Sequence, residues 1–122
     1  MVMLLLCVSP LWAAGSWVGN SDGLRVWSAE RMVSSAGLQP PAAITGGHIE
    51  SVRWQFRSVS GEPLNSWLCH ADNCARLPST RGITEHFAGL PADTIFYFRF
   101  ALRPEQRQMQ QVNGLQVIVN YQ

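Results

Sequence analysis

Apolar and polar residues alternate along this chain in short runs, and each run predicts a half-buried β-strand rather than a helix. The clearest sets Val52, Trp54 and Phe56 on one face against Arg53, Gln55 and Arg57 on the other. Leu24, Val26 and Ser28 alternate with Arg25, Trp27 and Ala29, after the turn Asn20-Ser21-Asp22-Gly23. From Ile95 to Leu102, Phe96, Phe98, Phe100 and Leu102 share a face that Tyr97 and Arg99 oppose. The chain closes with Leu115, Val117, Val119 and Tyr121 set against Gln116, Ile118 and Asn120. Between these runs lie breakers. Pro40-Pro41 and Gly46-Gly47 make Gly37 to Gly47 a long loop, and Ser60-Gly61-Glu62-Pro63 and Leu90-Pro91-Ala92-Asp93 read as turns. Ile83 to Ala88 is a further short apolar segment, and the Gln-rich stretch Arg103 to Gln111 reads as a loop or short helical turn.

Residues 66 to 77 form a two-strand unit: Ser66 to Cys69 and Cys74 to Leu77, around the four-residue loop His70-Ala71-Asp72-Asn73. Cysteines facing each other across such a loop are within disulfide reach. In all, six or seven short strands are expected, with no convincing amphipathic helix. Two packed antiparallel sheets, a small Ig-like β-sandwich with one hairpin disulfide, bury that many one-sided strands most economically. A partly open barrel is the main rival.

The first residues read differently. Met1 to Ala14 carry no charged side chain, and Leu4-Leu5-Leu6-Cys7-Val8 is a compact apolar run ended by Pro10 and the small residues Ala13-Ala14-Gly15. That is the layout of an export signal, with cleavage after Ala13 or Gly15, although the usual basic n-region residue is missing. The run is too short to span a bilayer, which takes about 20 apolar residues. Cys7 lacks a small residue before it, because Leu6 stands there, so it does not read as a lipidation site. The expected organisation is a signal peptide over 1–15 and one periplasmic β domain over 16–122. Cys69 and Cys74 are then the two cysteines of the mature chain, and an oxidising compartment pairs them.

Composition narrows the function classes. The chain of 122 residues is 47% hydrophobic and 14% charged, with a formal net charge of +1. No basic excess is present to neutralise a row of phosphates, which argues against nucleic acid as a partner. His48 and Glu50 would share a strand face, but nothing fixes a third ligand from His70 or His86, so no metal or cofactor is expected. Four residues separate Cys69 from Cys74, where a catalytic redox pair has two. No serine sits in a nucleophile elbow, and Glu30, Glu50, Glu62, Asp72, Glu85, Asp93 and Glu105 are scattered. The chain reads as non-enzymatic. Of Trp17, Trp27, Trp54 and Trp67, Trp54 belongs to the core, while the inward face at Trp27 and Trp67 is ambiguous.

Several features in order resemble the FlhE family of flagellar accessory proteins. They are the small residues Ala13-Ala14-Gly15 followed by Trp17, and the strand Val52-Arg53-Trp54. Next come Leu68-Cys69 and Cys74 with Leu77 beyond, then Phe87-Ala88 before Leu90-Pro91-Ala92. The ending Gln116-Val117-Ile118-Val119-Asn120-Tyr121 completes the set. The cysteine pair and that ending are the specific part, and residues 20 to 47 contribute little. The resemblance implies a periplasmic protein of flagellated Gram-negative bacteria with a role in flagellum assembly. Roles proposed for such proteins are limiting proton leakage through the export gate and, chaperone-like, preventing flagella from assembling in the periplasm. Its implied partners are flagellar export-gate, rod, hook or filament proteins.

The resemblance brings no defined contact residues, so candidates come from the chain itself. One is the disulfide-stiffened tip His70, Ala71, Asp72 and Asn73. The other is the final strand, with Val117, Val119 and Tyr121: if it lies at a sheet edge, an extended partner segment can add a strand there. A reading of another class is a carbohydrate module for peptidoglycan, with Trp27, Trp67 and arginines as a stacking platform.

Overall fold

Each alternating run pairs with another and turns its apolar face inward. The computed structural model describes residues 14–122 and contains nine strands among them. They are β1 (Gly15–Ser21), β2 (Leu24–Val26), β3 (Val33–Ser34), β4 (Ile49–Ser58), β5 (Asn65–His70), β6 (Asn73–Arg76), β7 (Arg81–Thr84), β8 (Tyr97–Ala101) and β9 (Gln110–Tyr121). No helix forms among the described residues. The expected signal segment lies almost wholly outside them.

All strand pairs are antiparallel. One sheet runs β1-β9-β4-β7, with β2 continuing the line of β1 along β9; the other runs β3-β8-β5-β6. Among the described residues no pairing joins the two sheets, so the chain forms the expected sandwich and not the partly open barrel. Trp17, Val52, Phe56, Val117 and Val119 from the first sheet meet Leu68, Phe98 and Phe100 from the second in a single core.

Nine strands exceed the six or seven expected, and β1 and β3 account for the difference. In β1, Gly15-Ser16-Trp17-Val18-Gly19-Asn20-Ser21 is rich in residues depleted from strands. Seven consecutive pairs with β9 hold it extended nonetheless. β3 is only two residues long. The segment Ile83 to Ala88 splits: β7 ends at Thr84, and the chain then turns, with the Ala88 N–H donating to the Glu85 carbonyl.

All five phenylalanines are buried. Phe56 of β4 inserts edge-on between Phe98 and Phe100 of β8, with ring centroids 5.9 and 5.0 Å away. Phe98 and Phe100 lie nearly parallel, two residues apart on one face of their strand. Phe87, from the β7–β8 connection, meets Phe96 edge-on at 5.0 Å and closes the end of the sandwich. Edge-to-face pairs of this kind add about 0.5–1.5 kcal/mol each beyond the area they bury.

Trp54 is as buried as the sequence pattern predicts, for a reason that depends on its neighbour. It pairs directly with Gly82, and its indole N–H reaches the Ser79 carbonyl at 3.0 Å. The ring crowds the Gly82 backbone, where a Cβ on Gly82 would stand 2.5 Å from it. Gly82→Ala therefore forces the indole out of its slot. The expected cost is about 1–3 kcal/mol, read as a lower urea midpoint with an unchanged slope.

Candidate functional site

The β5–β6 hairpin is tighter than a four-residue loop. His70 pairs with Asn73, so only Ala71 and Asp72 make the turn. Ala71 takes a φ of 50°, the left-handed conformation that a two-residue hairpin turn uses and a non-glycine residue adopts reluctantly. Neighbouring groups hold it there. Cys69 and Cys74 stand opposite each other one pair below the tip and are joined by the disulfide. The Tyr97 hydroxyl of β8 donates to the Ala71 carbonyl. His86 Nε2, from the β7–β8 connection, hydrogen-bonds Asn73 Oδ1 at 2.7 Å. The tip is thus docked against its neighbours, with Ala71, Asp72 and Asn73 exposed and His70 half-buried beside the Phe96 ring.

The final strand lies elsewhere than at an edge. β9 is the interior of its sheet: Val117 pairs with Gly19 on one side and Trp54 on the other, and Val119 with Trp17 and Val52. Val117 and Val119 are fully buried, and Tyr121 is half-buried between Gly15 and Ile49. No strand can be added beside these three residues, because both of their hydrogen-bonding sides are taken. Alternation alone shows which side chains face inward and is silent about how many neighbours a strand has.

The tryptophans divide in the same way. Trp17 is core, its indole N–H donating to the Ala92 carbonyl at 2.7 Å. Trp27 follows the last residue of β2 and is 63% exposed. Trp67 sits on the outer face of the other sheet, so the two tryptophans do not form one platform. Trp67 is flanked instead by Arg76 of β6 and Arg99 of β8, its direct cross-strand partners. The Arg76 guanidinium lies 5.5 Å from the indole centroid, and that of Arg99 lies 5.3 Å from the Tyr97 ring.

Charge is sorted by element in a way that the net value conceals. Six of the nine arginines lie in strands, namely Arg25, Arg53, Arg57, Arg76, Arg81 and Arg99. Of the eight carboxylate residues only Glu50, where the β4–β9 register shifts, lies in one. The sheet faces are therefore cationic and the loops acidic. Hydrogen-bond partners of Arg25, Arg76 and Arg99 are the neutral Gln111, Asn65 and Tyr97.

The histidines make separate contacts. His48 exchanges two backbone bonds with Gln122, His70 Nδ1 lies 3.3 Å from the Ile95 carbonyl oxygen, and His86 holds Asn73. Among the described residues no three His, Cys, Asp or Glu side chains gather as a metal-binding group. No described helix is long and apolar enough to cross a membrane.

The family model for Flagellar protein FlhE matches residues 23–122. The chain belongs to the FlhE family. Flagellar protein FlhE of Yersinia enterocolitica is 31% identical over 116 residues, covering 89% of this chain and 82% of that protein. The crystal structure of FLHE superposes with a TM-score of 0.79 at 27% identity, over 88% of this chain and 96% of that one. FlhE-family membership gives the protein a flagellar accessory role. It also extends through residues 23–47, where the sequence motifs are thin.

The clamped hairpin predicts separable effects. Replacing Cys69 and Cys74 together by serine closes no loop in the unfolded chain and is expected to cost about 2 kcal/mol in chemical denaturation, since the ring is small. Tyr97→Phe removes the hydroxyl bond to the turn together with the one accepted from Arg99 and is expected to cost about 1–2 kcal/mol. Both variants should raise amide exchange at residues 71–73 while leaving β9 protected.

Proposed function

We propose that the protein acts in the periplasm in flagellum assembly, by binding flagellar export or structural subunits. In this role it works as a chaperone-like factor that keeps flagella from assembling in the periplasm, limits proton leakage through the export gate, or does both. Membership in the FlhE family over residues 23–122 carries the reading. Two features support it. The leader-like residues 1–15 fit export, and an oxidising compartment suits the Cys69–Cys74 bridge. The docked tip offers a preorganised contact, with Ala71, Asp72 and Asn73 exposed on a backbone fixed from below and beside. Binding to a rigid contact loses less conformational entropy than binding to a mobile loop. In this reading the protein works by surface complementarity and carries no catalysis of its own.

Crosslinking in the periplasm of motile cells, followed by capture of the tagged protein, tests the reading. Rod, hook, filament or export-gate proteins are expected among the captured species. Recovery of cell-wall material without flagellar proteins would replace it with peptidoglycan binding. Export is checked separately by N-terminal sequencing of the protein isolated from the cell, which is expected to begin within residues 14–16. An intact Met1 would remove the periplasmic assignment.

A further inference from the structure

Five strands of the sandwich have a free edge and differ in how it is protected; β2, in line with β1, has three residues and carries Arg25. β7 is four residues long and carries Arg81; β6 is four residues long, carries Arg76 and is pinned by the disulfide; β3 has two residues. Short length and charge are the usual means by which proteins stop a sheet edge from pairing with another chain. β1 has neither. Its seven residues, Gly15–Ser21, include no charge and no proline, and its register with β9 runs through seven pairs without a bulge. No further backbone hydrogen bond among the described residues engages its other side.

We propose that β1 is a homodimer edge, pairing antiparallel with β1 of a second copy about a two-fold axis at Val18. The strand is self-complementary in that register. Val18 stands opposite Val18 of the second copy, Ser16 opposite Asn20, and Trp17 opposite Gly19, which has no side chain to compete for space. No like-charged side chains are brought together, and an α-amino group at residues 14–16 falls opposite Asn20 to Asp22 of the second copy. Val18 is 47% exposed and points outward beside Ile118, its cross-strand partner on β9. The two-fold turns this pair into a four-residue apolar row, Ile118-Val18-Val18-Ile118, across the junction. Two five-stranded sheets become one sheet of ten. Cross-strand β-branched pairs and the new ladder of backbone bonds supply the attraction. Two copies of one strand make an isologous contact, which closes at two and does not propagate.

Sedimentation equilibrium of the protein isolated from the cell tests this, together with amide exchange measured at low and high concentration. A reversible dimer is expected at about 1–100 μM, the range a small interface reaches. Alternate amides within residues 15–21 should gain protection as the dimer forms. Val18→Lys sets two ammonium groups opposite each other at the axis and is expected to weaken association about tenfold or more. Its denaturation midpoint should stay near that of the parent, since the side chain is not in the core. Ile83→Lys, on the opposite edge of the same sheet, should leave association unchanged. A monomer at every concentration overturns the proposal. So does a dimer whose β1 amides exchange as they do in dilute protein, or one that Val18→Lys leaves intact.

Discussion

The structure hangs on the pairing of β9 along both of its sides. Its twelve residues are the longest strand, and β1, β2 and β4 all hydrogen-bond to it. The strand contributes Val112, Leu115, Val117 and Val119 to the core and fixes the register of the whole first sheet. A slip of one residue would exchange those side chains with Gln111, Gln116, Ile118 and Asn120 and bring amides into contact with the phenylalanine cluster. The bulge around Asn113 and Gly114, where Gly114 takes a φ of 65°, lets β9 change pleat between its partners without losing its inward face. β1, poor in strand-forming residues, is a strand because β9 offers it a complete ladder.

Rigid pairing of this kind leaves function to the surfaces. Strand faces present arginine, amide and a few β-branched residues, while the carboxylates collect in the connections. The fold presents two kinds of surface of fixed shape. The hairpin tip is small and rigid, fixed by a disulfide, a tyrosine hydroxyl and a histidine. The sheet faces are broad and cationic, with the Arg76 guanidinium over the Trp67 indole and that of Arg99 over the Tyr97 ring.

Alternation along Val52 to Arg57, Ile95 to Leu102 and Leu115 to Tyr121 determined which side chains form the core, because a strand's two faces follow from its own sequence. Most breakers between the runs mark where the chain reverses, but Asn20 to Gly23 does not, since β1 and β2 run in line along β9. The spacing of Cys69 and Cys74 fixed the hairpin, and the cysteine pair with the Gln116 to Tyr121 ending was enough to point to the family. Tertiary structure alone decided lateral neighbours. Whether β9 is an edge or a centre depends on what pairs with it from residues about a hundred positions away in β1, and side-chain alternation is the same in either place. The same holds for Trp67, whose arginine neighbours come from two other strands, and for Trp54, whose slot exists only because Gly82 lies across from it. Inward or outward is a local property of a strand, whereas its place in the sheet belongs to the whole chain.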